Sequence, residues 1–436
     1  MMPTFPRYES YKDSGVEWLG EIPNHWNFHK LKHIAKVRLS NVDKHSRANE
    51  LPVKLCNYTD VYYRNFITSE ISFMEATATE EQVRSFALEK GDVLITKDSE
   101  SFDDIAVPAY VPETLANTIC GYHLAHIKPT YMEGSYLFRA FQAEGISSQF
   151  RVSANGITRF GIGKSAINDA IFPLPPVEEQ KRIVEFLDRT TTEIDRAISQ
   201  KQRLIELLQE QKAIVINQAV TQGLNPKASM RDSGLNWLGS IPPHWDVRRA
   251  KFLFREVDER SQTGTEELLS VSHMTGVTPR SEKNVYMFMA EDYTGSKLCR
   301  KDDLVINIMW AWMGALGVSD RIGIVSPSYG VFRQMEPDTF NSWYLEHLLR
   351  STEYVAQYNR ISTGLHSSRL RLYAHMFLGM EILLPPKKEQ DRITSVTLER
   401  TRQIDEAINS IESEITTLGD LRSILISKAV TGKIKV

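Results

Sequence analysis

The sequence has few cysteines, no long apolar run and little net charge, and each shortage excludes a class of protein. Its 436 residues include only three cysteines, which lie far apart and make no metal-binding pattern. No stretch approaches about 18 consecutive apolar residues, and no basic segment followed by an apolar one opens the sequence. We therefore expect a cytoplasmic protein without a membrane partner. The formal net charge is −3, so any surface for nucleic acid must be local.

Motifs for catalysis are also lacking. Gly163-Lys164-Ser165 resembles the end of a phosphate-binding loop, but Thr158 stands where that motif requires a glycine. No Pro-Pro pair follows an Asp, Asn or Ser, as the adenine pocket of a methyltransferase would require, and no zinc-ligand spacing is present. We therefore expect no cofactor, no metal site and no catalytic residues, and a chain that is not itself an enzyme.

What the sequence does have is an internal repeat. Residues 13–32 match residues 232–251 at 11 of 20 positions, and residues 174–221 match residues 384–431 at 19 of 48 positions without a gap. The segments between the matching ends have diverged. A chain that repeats the flanking segments and varies the segments between them predicts two different recognition units on one scaffold.

The second half of each repeat predicts a long helix. Pro175-Pro176 and Pro385-Pro386 are strong start signals, because proline fits the first turn of a helix but not its interior. Apolar residues then recur at a spacing close to 3.5, the period of a coiled-coil seam. In the second copy they are Ile404, Ile408, Ile411, Ile415 and Leu418, and in the first Ile194, Ile198, Ile205 and Leu208. A helix from Glu178 to Gln222 would be about 67 Å long. Antiparallel pairing of the two helices would hold two globular units at opposite ends, and two ordinary amphipathic core helices are the alternative.

The variable segments, about 33–173 and 252–383, predict a shared α and β fold. "GDVLIT" at 91–96 and "DDLVIN" at 302–307 are turn-then-strand patterns.

Two loops in each variable segment differ in content. The strand is followed by a polar loop at 97–101 in one copy and by an aromatic loop at 308–313 in the other. Each segment later has a basic loop led by glycine, at 156–159 and at 364–371. Loops on a fixed scaffold are where recognition usually lies.

These features together resemble the specificity subunit of type I restriction-modification systems, over essentially the whole chain. The resemblance depends on the "WLG-x-IP-x-HW" motifs at Trp18–Trp26 and Trp237–Trp245, the strand openings at Gly91-Asp92 and Asp302-Asp303, the basic loops, and the "LPP-x-x-EQ-x-RI" helix starts. Four such features occur twice, in the same order and at matching spacing.

The resemblance implies a fold and a function. It implies two target-recognition domains, each reading one half of a bipartite, asymmetric site on double-stranded DNA, and an antiparallel coiled coil that sets their distance. It also implies docking of two methyltransferase subunits, with motor-nuclease subunits in the full complex. We expect a mixed α/β fold with an internal pseudo-twofold repeat. Its expected segments are a first recognition domain (1–175), a first long helix (176–224), a second recognition domain (225–386) and a second long helix (387–436).

Nine residues are candidate DNA contacts, because base identity is read by side chains at the major-groove edge. They are Lys97, Arg159, Lys164, Asn307, Trp310, Trp312, Tyr329, Arg369 and Arg371. Solvated surface charge is the alternative for the residues of the basic loops, a turn-stabilising role for Lys97 and Asn307, and core packing for the two tryptophans. We expect the tryptophans of the repeated motifs, Trp18, Trp26, Trp237 and Trp245, to pack each domain onto the helices.

Two other classes of function remain as alternatives. One is a self-contained DNA-modifying enzyme, such as a methyltransferase, which cofactor binding by the isolated chain would reveal. The other is a coiled-coil adaptor that binds proteins through both variable units, which sequence-specific retardation of a DNA fragment would exclude.

Overall fold

The computed structural model describes residues 5–283, 292–364, 366 and 369–436. The fold is mixed α and β, as the sequence predicts. The chain divides into two compact units. Unit 1 consists of residues 5–202 with Glu412–Val436, and unit 2 consists of the described residues of Arg203–Ile411. Each unit therefore contains one variable segment and a part of both long helices.

Unit 1 is built on a four-stranded antiparallel sheet. Its strands, in spatial order, are Ala35–Leu39, Leu124–Pro129, Val93–Thr96 and Pro108–Tyr110. A three-stranded sheet has the order Thr118–Cys120, Leu51–Cys56, Met74–Ala78. Three strand pairs join Tyr11–Asp13 to Glu21–Pro23, Asn27–Lys30 to Ile171–Leu174, and Asp98–Ser99 to Phe160–Gly161. The short helices are Leu31–Ile34, Tyr58–Tyr62, Glu80–Phe86, Gly134–Phe141, Glu144–Ser153 and Lys164–Asp169, with a 3₁₀ turn at Phe102–Asp104.

Unit 2 repeats the four-stranded sheet with the same connectivity. Its strands, in spatial order, are Phe254–Glu256, Gly330–Gln334, Leu304–Ile306 and Leu316–Val318. Strand pairs join Arg231–Asp232 to Ser240–Ile241, Asp246–Arg249 to Glu381–Leu384, Leu269–Ser272 to Gly276–Pro279, and Lys297–Cys299 to Gly323–Val325. The helices are Ser342–Leu349, Thr352–Ile361 and Ala374–Gly379, with 3₁₀ turns at Ala250–Phe252, Arg280–Glu282 and Ala311–Met313. The shared sheet order explains how two diverged segments keep one fold.

The predicted turn-then-strand pattern is confirmed in both units, and a buried aspartate fixes each turn. The Asp92 carboxylate accepts the Glu89 backbone N–H at 2.9 Å and lies 2.7 Å from His126 Nε2. The Asp303 carboxylate accepts the Arg300 backbone N–H at 2.8 Å and pairs with the Arg333 guanidinium at 2.8 Å. A buried carboxylate is tolerated only when it is paired in this way.

The two long helices are Val177–Gln222 and Lys387–Val430, called here the first and the second long helix. Their 46 and 44 residues correspond to about 69 and 66 Å. The first lies within the expected segment 176–224. The second ends at Val430, and the residues after it turn back, with the Lys435 N–H donating to the Pro6 carbonyl at 2.8 Å.

Within each unit the long helices run antiparallel. In unit 1, Asp195 pairs with Arg422 at 3.0 Å and Lys201 pairs with Glu414, so residue numbers rise on one helix as they fall on the other. In unit 2, Lys212 pairs with Asp405 at 2.7 Å, and a Cβ added at Gly223 would lie 3.7 Å from Glu389 Oε1, so the helices again run in opposite directions. Exposed ion pairs contribute only about 0–1 kcal/mol each, so apolar packing must supply most of the stability. In unit 1 the packed side chains include Ile194, Ile198, Leu418, Leu421 and Leu425.

Each core is closed by the start of one long helix and the end of the other. In unit 1 the Tyr136 hydroxyl donates to the carbonyl of Val430, at the end of the second long helix, at 3.1 Å. In unit 2 the Tyr344 hydroxyl donates to the carbonyl of Val220, at the end of the first, at 2.9 Å. Both tyrosines are fully buried, and burial raises the pKa of each hydroxyl.

The glutamate and glutamine of the "EQ" pair at each helix start make the same contacts in both units. The Gln180 side chain donates to the Pro175 carbonyl at 2.8 Å and accepts the Glu133 N–H at 2.8 Å. Gln390 repeats this with the Pro385 carbonyl and the Asn341 N–H, both at 2.9 Å. The preceding glutamates pair with the histidines of the "HW" motifs, Glu179 with His25 at 2.8 Å and Glu389 with His244 at 2.6 Å.

Two tryptophans of the repeated motifs lie beside the long helices, as expected, whereas the other two contact short helices of their own units. Trp26 and Trp245 are buried in the two cores beside residues of the long helices. Trp18 is half-buried against Gly145, where an added Cβ would lie 2.4 Å from its ring. Trp237 meets the Tyr354 ring edge-on at 5.0 Å. None of the helices in the described part of the chain combines the length and apolar character that a membrane span requires.

Candidate nucleic-acid interface

The two loops that the sequence singles out lie side by side in each unit. In unit 1 the Ile162 N–H donates to the Lys97 carbonyl at 2.8 Å, and strand Phe160–Gly161 pairs with Asp98–Ser99. In unit 2 the Leu372 N–H donates to the Ile308 carbonyl at 3.0 Å. The same pairing of a post-strand loop with a glycine-led loop therefore occurs twice.

Each glycine-led loop is closed by a pair of backbone hydrogen bonds that only glycine permits. Asn155 and Gly161 exchange bonds of 3.0 and 2.9 Å, and Thr363 and Arg371 exchange bonds of 3.1 and 2.9 Å. Gly156 has φ +147°, and an added Cβ would lie 1.9 Å from the Arg159 carbonyl oxygen. At Gly364 the corresponding distance to the Arg369 carbonyl oxygen is 2.5 Å. Leu365, Ser367 and Ser368 of the second loop lie outside the described residues.

In unit 1 the paired loops bring four ionisable side chains together, called here the Asp98 cluster: Lys97, Asp98, His123 and Arg159. One Asp98 oxygen lies 3.0 Å from Lys97 Nζ. The other lies 2.5 Å from His123 Nδ1 and 2.9 Å from Arg159 Nη2. Lys97 Nζ also lies 4.6 Å from the centre of the Tyr122 ring, a cation–π contact. Two of the nine candidates, Lys97 and Arg159, thus share one carboxylate.

The electrostatics of the cluster leave one cation open to solvent. The Lys97 and Asp98 side chains are 14% and 17% exposed, whereas that of Arg159 is 53% exposed. Burial lowers the pKa of His123 and outweighs the opposing effect of Asp98, so the ring is neutral at pH 7. The cluster carries a net charge of +1.

His123 also adopts an uncommon backbone conformation. Its φ is +72°, in the left-handed region that non-glycine residues rarely occupy. The Lys97 N–H holds it by donating to the His123 carbonyl at 3.0 Å. Such over-determined conformations cluster at functional sites.

In unit 2, Asn307 directly follows strand Leu304–Ile306, and its amide contacts a phenol. Asn307 is buried, donates from Nδ2 to the Tyr329 hydroxyl at 3.0 Å and accepts the Met309 N–H at 3.2 Å. These are the contacts of the turn-stabilising alternative, and base contact by Asn307 stays a prediction. Tyr329 is half-buried, and burial raises the pKa of its hydroxyl.

The aromatic loop of unit 2 presents one open ring. Trp310 and Trp312 are stacked, with centroids 6.2 Å apart and planes at 18°. Trp312 is half-buried and donates from Nε1 to the Met309 carbonyl at 3.0 Å, whereas Trp310 is 50% exposed. Trp310 is therefore the member of the pair that a ligand could reach.

The remaining candidates are basic residues at the edges of the loops. Lys164 is exposed at the start of helix Lys164–Asp169, Arg369 is exposed, and Arg371 is half-buried. Within the described ranges no group of three His, Cys, Asp or Glu residues could hold a metal ion. The sequence patterns do not single out Asp98 or His123, because the contacts among Asp98, His123 and Arg159 join distant parts of the chain.

Comparison with known proteins finds relatives among the specificity subunits of type I restriction enzymes. The model of the family "Type I restriction modification DNA specificity domain" matches residues 23–207. A Methanocaldococcus jannaschii protein, assigned as the type I restriction enzyme MjaX specificity subunit, is 22% identical over 99% of this chain and 98% of its own length. The type I restriction enzyme MjaVIII specificity subunit of the same organism is 24% identical over 71% of this chain and 72% of its own length.

Two solved structures show the same fold at 16% sequence identity. The HsdS subunit from Thermoanaerobacter tengcongensis has a TM-score of 0.54 and matches over 95% of this chain and 98% of its own. A chain from a study of complex assembly and conformational transition of the type I R-M system has a TM-score of 0.65 over 94% and 98%. The mixed α/β fold is therefore shared along nearly the full length.

Proposed function

Because the chain resembles the specificity subunits of type I restriction-modification systems along nearly its whole length, we propose that it is the non-catalytic, DNA-reading subunit of such a complex. The observation that carries the proposal is the pairing of the post-strand loop with the glycine-led loop in both units. A pair of loops held on a rigid sheet can present side chains to the base edges of the major groove.

The unlike chemistry of the two loop pairs supports an asymmetric target. Unit 1 presents the charged Asp98 cluster, and unit 2 presents the exposed ring of Trp310. Charged and amide groups suit hydrogen-bonding base edges, whereas an apolar ring suits a thymine methyl group. Each unit would then read a different half-site.

The long helices have the length that a bipartite site requires. Two half-sites two helical turns apart are separated by about 70 Å along the duplex. The helices are about 66–69 Å long and pair antiparallel within each unit. We infer that they form the coiled coil that sets the spacer between the half-sites.

An exposed apolar stripe on the first long helix supports the docking of a partner. Leu204, Leu207 and Ile214 are 44%, 45% and 47% exposed. Their spacing of three and seven residues places them on one face of the helix. Grouped exposed apolar side chains mark protein interfaces. In the proposed complex this stripe contacts a methyltransferase subunit, two of which would join the chain, with motor-nuclease subunits added in the full assembly.

The test is methylation with and without the chain. The chain and a cognate methyltransferase subunit, expressed together in a host without other modification enzymes, should methylate adenine in one bipartite sequence across the genome. The methyltransferase without the chain is the control and should leave that sequence unmodified. Methyl transfer by the purified chain alone would favour the enzyme alternative, and failure to retard any DNA fragment specifically would favour the adaptor.

A further inference from the structure

We propose that Arg159, held by Asp98, reads a guanine in the half-site that unit 1 takes. This inference rests on the proposed function and names the base that one residue recognises. Arg159 contacts the base, and Asp98 is a positioning residue that acts through it.

The Arg159 guanidinium is held at one nitrogen, Nη2, and its other two nitrogens remain available. Nη2 lies 2.9 Å from Asp98 Oδ1 and 3.3 Å from His123 Nδ1. Among the described residues, no hydrogen-bond partner reaches its Nε or Nη1. The guanidinium has five donors in a rigid fork, so most of them remain for a ligand.

The second cation of the cluster cannot take the same role. Lys97 is mostly buried, with Nζ between Asp98 and the face of the Tyr122 ring. Lysine is also a compact point charge without the planar fork that matches two acceptors. Lys97 therefore balances the carboxylate, and Arg159 supplies the exposed donors.

The carboxylate beside the guanidinium favours a base over a phosphate. Asp98 lies within hydrogen-bond distance of Nη2 and neutralises part of the guanidinium charge, so a phosphate would gain less from Arg159 than from an unpaired arginine. The major-groove edge of guanine is uncharged and presents two acceptors, N7 and O6, which match the guanidinium fork. Of the ligands that DNA offers, guanine fits this pair of side chains.

The surroundings restrict where Arg159 can point. Its loop is closed by the Asn155–Gly161 backbone bonds, and Asp98 is held in turn by Lys97 and His123. A side chain fixed before binding loses less conformational entropy when it binds. This explains why a carboxylate stands in a loop that meets polyanionic DNA.

The experiment uses the chain in complex with its methyltransferase partner, after genome methylation has defined the wild-type target. Affinity is measured for duplexes carrying that target and for duplexes in which each guanine of one half-site is replaced by 7-deazaguanine, which lacks the N7 acceptor. We expect one replacement to weaken wild-type binding by about fivefold or more. R159Q and R159K should be insensitive to that replacement and should accept other base pairs there.

Two further variants sharpen the test. D98N should weaken discrimination at the same position and leave the other half-site unchanged. R84Q is the matched control, because Arg84 is an exposed arginine of unit 1 that pairs with Glu80 on helix Glu80–Phe86. It should read the target like the wild type. Circular dichroism of each variant establishes that it is folded.

Several outcomes would overturn the inference and leave the proposed function intact. Arg159 contacts phosphate if R159Q weakens binding to all sequences equally and reduces the slope of log affinity against log salt by about one. A wild-type half-site that contains no guanine, or none sensitive to 7-deazaguanine, also contradicts it. If the wild-type complex modifies no specific sequence, the proposed function itself fails.

Discussion

His347 is a histidine that the fold keeps uncharged. Its Nδ1 donates to the Trp343 carbonyl at 2.8 Å, its ring stacks 3.9 Å from that of Trp343, and burial lowers its pKa to about 4. Below the unfolded-state pKa of about 6.5, the His347 ring is protonated in the unfolded chain but stays neutral in the folded one. The contribution of the neutral His347 ring to the free energy of unfolding is therefore complete above about pH 6.5. It is lost as the pH falls toward 4, by up to about 3 kcal/mol.

We accordingly expect H347Q to flatten the dependence of the free energy of unfolding on pH between about 4 and 6.5. Urea unfolding of the wild type and the variant at several pH values measures it. H45Q, at an exposed position of unit 1, is the control and should keep the wild-type profile. Parallel profiles for H347Q and the wild type would contradict the prediction.

At this scale the sequence predicted where the functional loops lie but not what their side chains contact. The turn aspartates and Gly156 follow local rules of turns and positive φ, so they could be found from short patterns. Two of the three partners of Asp98, His123 and Arg159, come from other segments, and their meeting depends on how the sheet forms. Asn307 shows the same limit, because its position after a strand was predictable but its inward orientation was not.

The glycine-led loop is an element whose conformation depends on one residue. In G156A the new Cβ would lie 1.9 Å from the Arg159 carbonyl oxygen, at a φ of +147° that alanine disfavours. The loop must then change, and Arg159 moves with it. We expect target DNA affinity to fall about tenfold or more, or about 1.4 kcal/mol.

The control is G163A in the same region. An added Cβ at Gly163 meets nothing nearer than Ser165 Oγ at 3.8 Å, and its φ is negative. This variant should bind like the wild type. Equal affinities for G156A and the wild type would show that the loop is not part of the reading surface. Thermal unfolding of both variants shows whether a loss is local.

The long helices were the most predictable elements, since a double proline and an apolar period of 3.5 are local signals. Which residues of the two long helices face each other was not predictable, and the ion pairs define this register. Lys212 faces Asp405, so a break after Gln209 lies opposite a break after Ala407. Four residues inserted at both points add about 6 Å and rotate each helix about 40° beyond a full turn, which nearly preserves the seam.

We expect this double insertion to keep both half-site sequences and to lengthen the spacer by about one or two base pairs, at about 3.4 Å each. Methylation mapping of the variant complex measures the spacer. Inserting two residues at both points is the control, because it turns the apolar seam away and should abolish pairing. Activity of the four-residue variant on the original spacer alone would refute the role of the helices as a ruler.

At the scale of the whole molecule, repeated ends flank two variable segments, which the proposed function makes two interchangeable readers. The repeated residues form the helix starts and the histidine–glutamate contacts of the "HW" motifs, whereas residues 252–383 hold the sheet and loops of unit 2. Replacing 252–383 with the same region of a relative should change one half of the methylated sequence and leave the other. The reciprocal exchange of 33–173 is the matched control and should change the opposite half. A change in both halves, or in neither, would contradict two independent readers.

Each unit contains the end of the long helix that belongs to the other repeat, and this arrangement has a consequence for the ancestry of the chain. Tyr136 closes unit 1 on Val430 of the second repeat, and Tyr344 closes unit 2 on Val220 of the first. A chain of one repeat would lack the helix end that completes its core, and a second copy is the natural source of it. Such a homodimer would have had twofold symmetry and would have read a palindrome. Under the proposed function, fusion of two such copies into one polypeptide would free each reader to diverge, and a single-repeat fragment should still pair with itself, as its mass in solution would show.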